Sequence, residues 1–118
     1  MTVKEVYQML DANYEEAIKR LMNDELIKRF VLKFRDSNPY PELIDAYRSH
    51  DVVRLFEAAH SMKGVVGNLS LSKLYEASSN ICEVTRYKNV FNEEEIGPLM
   101  QIMVQEYEKT INCLNELQ

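Results

Sequence analysis

The chain is predicted to be all-α: an antiparallel up-and-down four-helix bundle with short additional helices at its N-terminus. Three observations point there. Apolar residues recur at steps of three and four rather than alternating. Capping side chains precede several of those stretches at the spacing a helix start requires. Only three glycines and three prolines occur among 118 residues, too few for the hairpin turns of a sheet protein.

Thr2 is followed three residues later by Glu5, the capping-box spacing, so a short helix is expected from Val3 to about Leu10. Asn13 and Glu16 repeat the signal and open a second short helix through Leu21. Asn23 caps a third, with Leu26, Ile27, Phe30, Val31 and Phe34 at helical spacing. The segment Ser37-Asn38-Pro39-Tyr40-Pro41 breaks it, and Pro41 suits the first turn of a fourth helix holding Leu43, Ile44 and Tyr47. Asp51 caps the fifth, whose stripe is Val52, Leu55, Ala59, Met62, Val66 and Leu69. A sixth is expected from about Leu71 to Arg86, with Leu74, Ser78, Ile81 and Val84 or Thr85 inward. Lys88-Asn89 makes a turn. Asn92 and Glu95 announce the last helix, with Ile96, Leu99, Met103, Tyr107, Ile111 and Leu114 as its stripe. Pro98 cannot donate its amide, so the regular part of that helix is expected to begin at Pro98 rather than Glu93. Long helices joined by short links fold back on one another, which gives the bundle.

Composition bounds the function. The length suits a single domain, 1–118, with one core and no staples. A net charge of −5 and no dense Lys/Arg cluster argue against nucleic acid as a partner. No run approaches the apolar length of a membrane span, and the start Met1-Thr2-Val3-Lys4-Glu5 lacks the pattern of a secretory signal. Cys82 and Cys113 form no C-x-x-C unit and read as buried or half-buried thiols in a reducing compartment, so the cytoplasm is the expected location. The methionines read as core filler. Glu93-Glu94-Glu95 reads as a solvated first turn that complements the helix dipole.

The chemistry concentrates in the fifth helix. At roughly 100° per residue, His60 points about 130° away from the centre of the apolar stripe, toward water. Lys63 lies three residues on, within reach of anything attached to the imidazole. Gly64 and Gly67 fall within about 40° of His60 on the same wheel. Each glycine costs roughly 1 kcal/mol relative to alanine inside a helix. An uncrowded surface around a nucleophile, open to a second protein, accounts for both. Near neutral pH an imidazole nitrogen offers a lone pair that can attack an aspartyl phosphate and hold the phosphoryl group as a phosphoramidate. Lys63 would offset the added charge. The facing side of the next helix offers Ser72, Glu76, Ser79, Glu83 and Arg86 as further polar candidates.

Residues 60–71, His60-Ser61-Met62-Lys63-Gly64-Val65-Val66-Gly67-Asn68-Leu69-Ser70-Leu71, resemble the phosphorylation-site signature of histidine-phosphotransfer (HPt) domains, whose core is H-x-x-K-G on a bundle helix. Ala58-Ala59 upstream and Leu74 downstream also fit, as does the layout of the whole chain. The resemblance implies phosphorylation on His60, support from Lys63 and steric access at Gly64. Its function would be that of a phosphorelay intermediate without ATP-dependent kinase activity. The implied partners are receiver domains of a hybrid sensor kinase and of a response regulator, met by a monomer. They would dock on the strip around His60, including Val53, Glu57 and Gly67. No cofactor is implied on this chain, since the Mg²⁺ needed for transfer would arrive with the receiver. Ser70 departs from the pattern, because many members carry glycine at that helix end.

Each of these residues has a plainer reading beside the functional one. The glycines could instead let two helices approach closely, which would bury the strip beside His60, and a lysine such as Lys63 at the edge of an apolar stripe often simply extends to water. His50 reads as a loop residue before the Asp51 cap. The main rival function is a non-catalytic helical scaffold that binds a receiver or another helical partner without phosphotransfer. A zinc-binding bundle built on Cys82, Cys113 and the two histidines is a third reading, at a spacing that matches no closed site.

Overall fold

Side chains start five of the helices, and each is a residue whose oxygen can take up an amide the helix leaves unpaired. The computed structural model describes residues Met1–Leu117. It contains α1 (Val3–Met9), α2 (Tyr14–Leu21), α3 (Asp24–Asp36), α4 (Tyr40–Arg48), α5 (Val52–Asn68), α6 (Ser72–Thr85) and α7 (Glu93–Leu114), with no strand among the described residues. The Thr2 hydroxyl accepts from the Glu5 amide, and the Glu5 carboxylate accepts from the Thr2 amide at 2.9 Å, a complete capping box. That bonding holds Glu5 below the usual carboxylate range. Asn13, Asn23, Asp51 and Asn92 cap α2, α3, α5 and α7 by the first of these two bonds, each side-chain oxygen accepting from the amide three residues on.

The helix ends are less conventional. Left-handed residues terminate α1, α4 and α5, and none is glycine: Asp11, His50 and Ser70 have φ of 54°, 52° and 56°. After α5, the Leu71 amide donates to the Val66 carbonyl and the Ser70 amide to the Gly67 carbonyl, the two bonds of a Schellman ending. Asp11 and His50 make the same pair of closures after α1 and α4. α7 runs unbroken through Pro98, starting at Glu93 and not at Pro98 as the sequence suggested. Pro98 is exposed and stands early in the helix, so it forfeits one bond on the wet side rather than breaking the core face.

The buried residues form one connected cluster. α5 contributes Leu55, Ala59, Met62 and Val66 to it, the stripe expected from the sequence. In α7 the buried line is Ile96, Met100, Met103, Thr110 and Leu114, while Leu99, Tyr107 and Ile111 are half-buried. In α6 it is Thr85 rather than Val84 that is fully buried. Buried hydroxyls on these helices return to their own backbone: Ser78 donates to the Leu74 carbonyl at 2.7 Å and Thr85 to that of Ile81 at 2.6 Å.

Helices α4 and α5, α5 and α6, and α6 and α7 pack in chain order, and α3 and α1 each lie against α7. The molecule is elongated, 43 × 23 × 21 Å. α1 and α2 are tied to the end where α5 stops. The buried Tyr7 hydroxyl donates to the Leu69 carbonyl at 2.6 Å, and the Asn13 amide donates to the Ser70 carbonyl. The N-terminal ammonium donates to the Glu116 carbonyl just past α7. Among the described residues no helix is long and apolar enough to cross a membrane.

Candidate functional site

Because Leu55, Ala59, Met62 and Val66 are drawn into the core, the opposite face of α5 is turned outward. His60 and Gly64 are exposed on it, and Lys63 is half-buried at its edge. A Cβ built on Gly64 meets nothing within 4 Å. That glycine therefore has no packing purpose inside the molecule. Gly64→Ala is expected to raise stability by about 1 kcal/mol, read as a higher melting temperature. A fall in melting temperature would mean that the glycine serves the fold after all.

Gly67 differs. A Cβ there would stand 3.2 Å from Cδ1 and Cε1 of Tyr75 on α6. Gly67 was expected beside Gly64 on an open docking strip, but it is half-buried against the Tyr75 ring. The two readings of the glycines are thus divided between them: Gly67 lets helices approach, and Gly64 keeps a surface clear. Val53 and Glu57, the other residues expected on that strip, are exposed, Val53 by 57%.

Two aromatic rings flank the histidine, each carrying a cation. The Phe56 ring stacks on the His60 imidazole at 5.7 Å between centroids and 14° between planes. The Arg86 guanidinium lies 5.3 Å from the Phe56 centroid and pairs with Glu83 at 3.6 Å. The Lys63 ammonium lies 5.7 Å from the centroid of Tyr75. Of the polar candidates on α6, Arg86 and Glu83 thus reach the site through Phe56. Ser72 lies at the α5–α6 turn, with its hydroxyl 3.5 Å from the Ser70 carbonyl. Glu76 is exposed. The Ser79 hydroxyl oxygen is buried without a hydrogen-bond partner among the described residues. It stands one turn from Tyr75 and two turns from Arg86, in the row that faces α5.

Arg20, which the sequence did not single out, closes the lower end of the site from α2. Its guanidinium donates to the Gly67 carbonyl at 2.7 Å, to the Asn68 carbonyl at 3.1 Å and to the Ser70 hydroxyl at 3.1 Å. The Ser70 hydroxyl in turn donates to Glu16 at 2.8 Å. These bonds give the Gly67 carbonyl a second donor beside the Ser70 amide and supply one to Asn68, and they hold Ser70 in its left-handed conformation. A serine at a left-handed helix end, where glycine is the usual residue, is therefore compensated by a side-chain clamp. A shallow depression lined by Arg20, His60, Lys63, Gly64 and Tyr75 results.

The remaining candidates are elsewhere. His50 terminates α4 and stacks on Phe91 at 4.5 Å. Cys82 is buried and Cys113 half-buried, and burial raises both thiols above their usual range. Among the described residues no three His, Cys, Asp or Glu side chains gather as a metal site. Comparison with protein-family models, curated proteins and solved structures finds no match to this chain.

Proposed function

We propose that the protein is a phosphocarrier, a phosphorelay intermediate that accepts a phosphoryl group on His60 from a receiver-domain aspartate and passes it to another receiver. The observation that carries this reading is an exposed imidazole whose neighbour one turn on, Gly64, leaves open space where any other side chain would stand. A nucleophile used by a second protein needs that clearance. Lys63 and Arg86, each held on an aromatic face beside the histidine, supply positive charge for the phosphoryl oxygens.

The step is a displacement at phosphorus. The lone pair of one imidazole nitrogen forms the P–N bond while the P–O bond to the receiver aspartate breaks, and the aspartate leaves as carboxylate. The proton on the second nitrogen is released to water. Return of the group to another receiver reverses the sequence, with Mg²⁺ brought by the receiver. The chain itself would use no ATP, and it would act as a cytoplasmic monomer.

For the architecture, we propose an antiparallel four-helix bundle of α4–α7, with α1–α3 packed at one end. Side-chain pairs support it. Gly67 meets Tyr75 and Phe56 meets Arg86, so sequence number rises along α5 as it falls along α6. Tyr40 stacks on Tyr107 at 3.6 Å and Tyr47 bonds Glu93, the same inversion between α4 and α7.

The test is intact-mass spectrometry after incubation with Mg²⁺ and a panel of phosphorylated receiver domains. The expected result is an acid-labile gain of one phosphoryl group, mapped by fragmentation to His60. A folded protein that gains nothing from any receiver would move the assignment to a non-catalytic scaffold.

A further inference from the structure

We infer that Tyr75 is a positioning residue that parks the Lys63 ammonium beside His60 until a phosphoryl group arrives, and that Gly67 lacks a side chain in order to seat the Tyr75 ring. The inference rests on the phosphocarrier reading. Three observations carry it. Lys63 Nζ lies 5.7 Å from the Tyr75 centroid, and Lys63 forms no ion pair with a carboxylate among the described residues. Gly67, one turn beyond Lys63 on the same face of α5, is where a Cβ would press on the edge of that ring at 3.2 Å. And Tyr75 remains 43% exposed, a large ring held on the surface at the edge of the depression that contains His60.

The choice of partner has a chemical consequence. A lysine left free would spread over many rotamers, and ordering it would slow its engagement with the phosphoryl group. A lysine paired with a carboxylate would be ordered but neutralised, and the incoming phosphoryl group would have to displace a like-charged competitor. A ring face does neither. It restricts the side chain weakly and leaves the full positive charge available. Phosphorylation adds about −1.5 to −2 charges at the imidazole, and the ammonium meets the phosphoryl oxygens while its stem stays over the ring, so the contact persists as the group arrives. Gly67 belongs to the same device, since a side chain there would push the ring off its position over Lys63.

The experiment has one arm independent of phosphotransfer and one that depends on it. In the first, NMR follows the Lys63 ε-methylene protons in the unphosphorylated protein. A ring-current upfield shift is expected in the wild type and in Tyr75→Phe, and its loss in Tyr75→Leu. In the second, acceptance by His60 from a phosphorylated receiver is timed. Tyr75→Leu is expected to slow it roughly two- to fivefold, the rate equivalent of one exposed cation–π contact, and Tyr75→Phe to restore it. Gly67→Ala, which obliges the ring to move by a few tenths of an ångström, should reduce the upfield shift without unfolding the protein. An absent shift in the wild type overturns the assignment, as do equal acceptance rates in the wild type and Tyr75→Leu. A Tyr75-dependent shift in a protein that accepts no phosphoryl group overturns the phosphocarrier reading instead and leaves the placement of Lys63 standing.

Discussion

His60→Gln is expected to remove phosphoryl acceptance completely and to leave stability within about 0.5 kcal/mol of the wild type, the range of surface substitutions away from special features. Glutamine has no nucleophilic lone pair comparable to that of imidazole, so no P–N bond can form at that position. Its helix propensity is slightly better than that of histidine, which offsets the lost stack on Phe56. Intact-mass spectrometry and thermal denaturation of the same preparation check both halves. An acid-labile phosphoryl group that persisted in the variant would place the chemistry elsewhere. The other histidine, His50, is held at the left-handed end of α4, stacked on Phe91, and has no glycine one turn away as His60 has in Gly64. A marked loss of helicity would contradict the exposure of His60 itself.

The parts of this protein that local sequence governs were legible, and those that depend on distant neighbours were not. The stripe Val52, Leu55, Ala59, Met62, Val66 marks the buried face of α5, because burial on a helix follows its period. The caps at Thr2, Asn13, Asn23, Asp51 and Asn92 are contacts over three residues, and all five form. Helix ends proved harder. Glycine is the usual marker of a left-handed terminus, and here Asp11, His50 and Ser70 take the position, so the marker was absent. Ser70 adopts it with a clamp from Arg20 and Glu16, more than 45 residues upstream, which no local pattern reveals. The clearest case is the pair of glycines. Gly64 and Gly67 both fall close to His60 on a helical wheel, one to either side, yet α6 lays Tyr75 against one and leaves the other open. Phe56 was also missed, because its role lies in the ring of His60 one turn away and in Arg86 across the helix pair.

Met62, two residues beyond His60 on the same helix, should respond in the opposite way. It is fully buried in the connected core, where side chains are close-packed and shortening one leaves a cavity. Met62→Ala is expected to cost about 2–5 kcal/mol, against a total stability of roughly 5–15 kcal/mol for a domain of this kind. The melting temperature should fall by roughly 8–20 °C. Met62→Leu, which nearly conserves volume, should lose less than about 1.5 kcal/mol. Below the lowered melting transition, phosphoryl acceptance per folded molecule should be unchanged in Met62→Ala, because Met62 is fully buried in the core while His60 is exposed on the other side of α5. Denaturant melts paired with single-turnover acceptance separate the two effects. A Met62→Ala protein that kept wild-type stability would mean that α5 is not anchored through this face. The outward direction of His60 would then lose its cause, since it is the burial of one side of the helix that presents the other.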